Sequence, residues 1–232
     1  MLQEQGAEFT QTFAYEKKTG SSGGGGDGST TTPTTPTTPT TPTTPTTPEQ
    51  PAGNKSLFDD ITSGAWYYDA VNKAAEKGLM KGVSKNTFAP QGGVTRAMFV
   101  TVLGRLSNVD TSAYKTSGFS DVVSGSYCEP YVAWAKEKGI VNGVSAASFA
   151  PDKMISRQEM AVMISKLKSA GDVTVSETAL SGITDSSAVA SWAKDGVAYC
   201  IENGLMQGKT GGMFDPAGKA TRAELAVLIQ RL

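Results

Sequence analysis

Along residues 58–232 apolar positions recur in a fixed order: a run at helical spacing, a loop around one phenylalanine, then a second helical run. The middle copy shows it clearly. Tyr131, Val132, Ala135 and Ile140 fall at roughly helical spacing, and Gly139 predicts the helix end as a C-cap. "NGVSAASFAPDKM" follows, glycine-rich and small, with Phe149 as its one large apolar anchor. It predicts a loop with a short extended piece. Ser156 then predicts the cap of a second helix, on which Met160, Ile164 and Leu167 form an apolar face flanked by Val162 and Met163.

The same order occurs three times. Phe88, Phe149 and Phe214 open "FAP", "FAP" and "FDP", and Arg96, Arg157 and Arg222 follow each by eight residues. The offsets are 61 and then 65 residues. Gly82, Gly143 and Gly208 keep them, as do Gly78, Gly139 and Gly204. The third copy gains its extra residues between Ile183 and Trp192, in "TDSSAVAS". The repeats are assigned to 58–106, 119–167 and 180–232. Two such short helices cannot bury a sufficient core alone, so the units must pack together. A mainly α fold follows, either an open solenoid or a closed pseudo-threefold arrangement. Closure hides both end faces and is the expected solution.

Upstream the character changes. Residues 20–57 read as a linker: "GSSGGGGDGS" is flexible coil, and prolines at 33, 36, 39, 42, 45 and 48 match the three-residue turn of polyproline II. Its threonines suit either O-glycosylation or a bare spacer. Residues 1–19 include "EFTQTFAYEKK", a weak alternation that looks like the last strand of a truncated upstream domain or a tail. The N-terminus has neither the basic head nor the apolar core of an export signal. Either the protein is not exported, or Met1 is not the start of the natural chain.

Composition narrows the chemistry. With 21 basic and 22 acidic residues, the chain lacks the basic excess of a nucleic-acid or anionic-membrane binder. No apolar run approaches a membrane span. There is no histidine, which removes the commonest general base and metal ligand, and no cofactor or metal is expected. Cys128 and Cys200 form no CxxC pattern and read as two buried thiols rather than a disulfide.

The helix starts carry the unusual feature. Thr221 with Glu224, and Ser156 with Glu159, spell a capping box; Met98 breaks it in the first unit. Capping gains nothing from the arginine, which opposes the helix dipole by about a few tenths of a kcal/mol. Its recurrence as Arg96, Arg157 and Arg222 therefore suggests either an ion pair, for example with Asp60 or Asp121, or an anion site. In the second case free helix-start amides and a guanidinium fork would act beside a glycine-rich loop. Trp66, Tyr127 and Trp192, near the first-helix starts, could stack on a sugar or anchor the core.

At these residues the chain resembles the S-layer homology family of bacterial surface proteins. The matching strings are "FDDI…W…AV…A…GLMKG…FAP…VTRAMF", "FSDV…Y…YV…A…GIVNG…FAP…ISRQEM" and "GIT…W…GV…GLMQG…FDP…ATRAEL". The resemblance implies a three-pronged, pseudo-threefold spindle whose grooves bind a secondary cell-wall polysaccharide, often bearing an acidic pyruvate ketal. By position it assigns Arg96, Arg157 and Arg222 to the acid. Gly82, Gly143 and Gly208 would give close access, and Trp66, Tyr127 and Trp192 would frame the groove. Departures are Met98, the Ser156-Arg157-Gln158 string, and Gly182 where the other units have Asp60 and Asp121. The expected function is non-covalent anchoring of a surface protein at the bacterial cell wall. A purely structural assembly or protein-docking module is the alternative, and the absence of histidine or a distinctive acid pair argues against an enzyme.

Overall fold

The computed structural model describes residues 56–169, 173–176 and 178–232. The expected upstream strand or tail (1–19) and nearly all of the linker (20–57) lie outside the described residues. Among the described residues there are six α-helices, two per unit: α1 (Tyr68–Glu76) and α2 (Arg96–Leu106), α3 (Glu129–Glu137) and α4 (Arg157–Lys168), α5 (Lys194–Glu202) and α6 (Arg222–Leu228). Their ends follow local chemistry. Thr95, Ser156 and Thr221 cap α2, α4 and α6 through their hydroxyls, and the capping box is complete at α4 and α6. The first helix of each unit stops before a glycine at φ 67°, 67° and 64° (Gly78, Gly139, Gly204), a left-handed turn that only glycine adopts without strain.

The helix pairs form between units, not within them. α3 packs on α2, α5 on α4, and α1 on α6, so the first and last helices complete the circle. Close approach explains two glycines inside helices: a Cβ on Gly104 would sit 2.3 Å from Tyr131 Cδ1, and one on Gly196 2.8 Å from Val162 Cα. At the centre, the extended residues before α2, α4 and α6 pair as isolated antiparallel bridges, Gly93 with Thr221, Thr95 with Met154, and Ser156 with Lys219. The closed threefold arrangement expected from the repeats is thus the observed one. Each unit bridges both of the others.

Phe88, Phe149 and Phe214 are fully buried, each worth roughly 1.5–3 kcal/mol in apolar burial. The residue after each has a positive φ although none is glycine: Ala89 57°, Ala150 56° and Asp215 57°. One carboxylate per unit holds this strained turn. Asp60 accepts from the amides of Phe88 and Ala89 (2.8 and 2.7 Å), Asp121 from Phe149 and Ala150 (both 2.8 Å), and Asp185 from Phe214 and Asp215 (2.7 and 2.8 Å). The third unit therefore keeps the carboxylate, although Gly182 stands at the position equivalent to Asp60 and Asp121. Its longer opening moves the acid to Asp185.

Both cysteines are buried and free. Burial pushes the Cys200 thiol up to about 12, which leaves it protonated and inert.

Candidate functional site

Each recurrent arginine turns away from its own helix and grips the next unit. Arg96 Nε donates to the carbonyl of Phe149 (2.9 Å), Arg157 Nε to that of Phe214 (2.7 Å), and Arg222 Nε to that of Phe88 (2.8 Å). The guanidinium carbons also lie over the rings of those phenylalanines, at 4.7, 4.9 and 4.4 Å from the centroids. Arg157 Nη2 donates further to the Gln207 carbonyl (2.8 Å), and Arg222 Nη2 to that of Lys81 (2.6 Å). Burial holds all three below the ordinary arginine value, partly offset by nearby carboxylates such as Glu159, Glu224 and Asp60. They stay charged. The cation has found the negative ends of neighbouring carbonyl dipoles, which removes its conflict with its own helix.

The helix starts are not the free-amide anion sites that the sequence suggests. The first amide of α2 donates to Lys153 O (3.0 Å), that of α4 to Gly218 O (2.9 Å), and that of α6 to Gly92 O (2.8 Å). The second amides go to the carbonyls of Pro151, Pro216 and Pro90, and the third to the capping hydroxyls. Nothing is left over to bind a ligand. Nor do Asp60 and Asp121 ion-pair with the arginines, since their oxygens serve the phenylalanine turns.

Among the described residues three grooves each gather side chains from all three units. Groove 1, about 340 Å³, lies between α2 and the Met80–Val83 loop; Arg222 comes from unit three and Tyr127 from unit two. Groove 2, about 490 Å³, lies along α4 with Gly143, and takes Arg96 from unit one and Trp192 from unit three. Groove 3, about 310 Å³, lies along α6 with Gly208, and takes Arg157 from unit two and Trp66 from unit one. The nine residues singled out in the sequence thus meet as three trios of arginine, glycine and aromatic.

The aromatics are not core anchors. Trp66, Tyr127 and Trp192 are 64, 58 and 59 % exposed, which offers ring faces to a ligand. The groove glycines are constrained by their own loops. A Cβ on Gly82 would meet Ser84 O at 2.5 Å and Phe58 Cε1 at 2.7 Å, and one on Gly143 would meet Ser145 O at 2.6 Å and Phe119 Cε1 at 2.7 Å. Their role is to let the loop fold beside the groove.

A second cation per groove escaped the sequence reading: Arg105 in groove 1, Lys166 in groove 2 and Arg231 in groove 3. These positions keep the 61- and 65-residue offsets, which was the available signal. Arg105 and Lys166 lie in the last turns of α2 and α4, where the helix dipole already explains a cation, and so draw no notice. The grooves differ where the capping box differs. In groove 2 Glu159 Oε1 lies 3.3 Å from Arg96 Nη1 and 3.1 Å from Lys153 Nζ; groove 3 holds Glu224; groove 1 has Met98 at that place.

A closed threefold circle of helix–loop–helix units, with one cationic groove beside each unit, defines a small repeat module built on inter-unit surfaces. The chain belongs to the S-layer homology domain family, whose model matches residues 57–98, 118–161 and 182–226. It is similar to an endoglucanase of Bacillus sp. (strain KSM-635), at 33% identity over 185 residues, covering 77% of this chain and 19% of that protein. An exoglucanase of Acetivibrio thermocellus matches at 30% over 190 residues (79% and 17%), and an S-layer protein of Bacillus anthracis at 28% over 174 residues (75% and 21%). The chain spans about a fifth of the length of these curated relatives.

Proposed function

We propose that this chain is a non-covalent anchor, holding a surface protein to the bacterial cell wall by binding an acidic, pyruvylated secondary cell-wall polysaccharide in its grooves. The observation that carries the reading is the assembly of each groove from three units: a buried guanidinium, an exposed aromatic face and a second cation. That set suits a sugar ring bearing a carboxylate, since the ring stacks while the acid meets the cations. Family membership supports the same reading, because the relatives that match this region include both S-layer proteins and enzymes such as an endoglucanase. A shared module on different cargoes supplies attachment rather than catalysis. The chain accordingly works outside the cell, at the wall.

The test is sedimentation with purified sacculi. The chain is expected to pellet with untreated sacculi and to stay in solution once the non-peptidoglycan polymer has been stripped. Equal pelleting with stripped sacculi sinks the glycan reading and favours a protein-docking module.

A further inference from the structure

Of the register positions at which groove 1 differs from the other two, two point to the same conclusion. The first is Met98, which stands where groove 2 has Glu159 and groove 3 has Glu224. Glu159 already engages Arg96, so an incoming anion in groove 2 must compete with a resident carboxylate. Groove 1 is lined by Arg222, Arg105 and Lys81 and by no acid. Nη1 of Arg222 has no protein partner among the described residues, since Nε and Nη2 make the bonds to Phe88 and Lys81.

The second is Thr101, whose counterparts in grooves 2 and 3 are Val162 and Val227. Thr101 is only 2 % exposed, and its hydroxyl oxygen has no hydrogen-bond partner. Among the described residues no other buried side-chain oxygen or nitrogen is left in that state. A valine would fill the same volume without that cost, as it does in the other two units. An unpaired buried hydroxyl on a residue that lines a cationic groove calls for an explanation, and a ligand group that reaches it supplies one.

We propose that groove 1 is the principal receptor of this chain, taking a monoanionic sugar whose carboxylate meets Arg222 and Arg105 and whose polar substituent pairs with the Thr101 hydroxyl. Tyr127 supplies the exposed face against the ring. This rests on the reading of the grooves as acidic-glycan sites and says which of the three dominates, and why.

The test compares Met98→Glu, Thr101→Val, Thr101→Ser and Glu159→Gln with the unaltered chain. Affinity is read by sedimentation with polymer-bearing sacculi, and stability by melting temperature. A methyl hexoside carrying a 4,6-pyruvate ketal, titrated by NMR, reports which groove shifts. Met98→Glu completes the capping box of α2, so the fold is retained, yet it places a carboxylate beside Arg222. It is expected to weaken binding on the order of ten-fold. Thr101→Val is expected to melt no lower than the unaltered chain but to bind about three- to ten-fold more weakly, with Thr101→Ser close to normal. Glu159→Gln is expected to change affinity less than Met98→Glu does. If the unaltered chain binds sacculi but Met98→Glu and Thr101→Val bind equally well, groove 1 is not the principal site and the anchor reading stands. If the unaltered chain does not bind polymer-bearing sacculi, both fall.

Discussion

Arg222 Nε donates to the carbonyl of Phe88 at 2.8 Å, joining residues 134 apart and fastening the last unit to the first. With Arg96 on Phe149 and Arg157 on Phe214, it completes three equivalent clasps. Each arginine is therefore a structural tie that also lines a groove.

Removing that tie should be costly. Arg222→Ala deletes two charge-assisted bonds, to Phe88 and Lys81, and a contact over the Phe88 ring. It also leaves the buried Phe88 carbonyl without that donor. The expected loss is on the order of 3–5 kcal/mol, read as a lower urea midpoint. Arg222→Lys should recover little, because an ammonium has no fork to span two carbonyls. A midpoint unchanged by Arg222→Ala would remove the clasp from the account.

Asp185 should matter as much as Asp60 and Asp121. Replacing it with alanine frees the amides of Phe214 and Asp215 at a residue already held at φ 57°. A cost of about 1–3 kcal/mol is expected in equilibrium unfolding. Gly182→Ala, by contrast, puts a Cβ into open space and should be nearly neutral. If Gly182→Ala proves the worse of the two, the assignment of the third acid is wrong.

That acid shows where the sequence stops being informative. Repeat offsets locate Phe214, Arg222, Gly208 and Trp192, because those lie on segments of constant length. They miss Asp185, because the insertion lies beside it. Caps at Thr95, Ser156 and Thr221 are legible because a hydroxyl satisfies amides within one turn. The fate of the first amides is not, since Lys153, Gly218 and Gly92 reach them from another unit and leave no local pattern. For the same reason the trios were legible as residue types but not as partners. No periodicity says that Tyr127 shares a groove with Gly82 and Arg222.

Acid should loosen the inter-unit contacts. Burial alone would raise Glu159, but the Ser156 amide, Lys153, the Ser156 hydroxyl and Arg96 outweigh it and hold the group below the usual carboxylate range. Burial is likewise outweighed at Asp121, by the Ser148 hydroxyl and the Phe149 and Ala150 amides. A group with a lowered folded value contributes fully above its unfolded value of about 4 and loses that contribution as pH falls through the folded one. Melting temperature should thus hold from pH 7 to about 5 and fall below about 4. Glu159→Gln should be less stable than the unaltered chain at pH 7 and converge with it at the acid end. A gap that stays constant with pH would mean that Glu159 does not carry the dependence.

The exposed aromatics separate binding from folding in a way that the arginines cannot. Trp66, Tyr127 and Trp192 are well over half exposed, so truncation to alanine should move stability by no more than about 0.5 kcal/mol. Each nevertheless fronts one groove, and a sugar ring packed on such a face contributes on the order of 1 kcal/mol. Single replacements should therefore weaken sacculus binding several-fold with melting temperatures unchanged. Because a wall polymer presents its acid many times, grooves that act together raise avidity beyond any single affinity, and the triple replacement should lose more than the sum of the singles. If one replacement abolishes binding and the other two are silent, a single groove does the work. Tyr127 is the one expected to stand out, since its groove alone lacks the resident carboxylate.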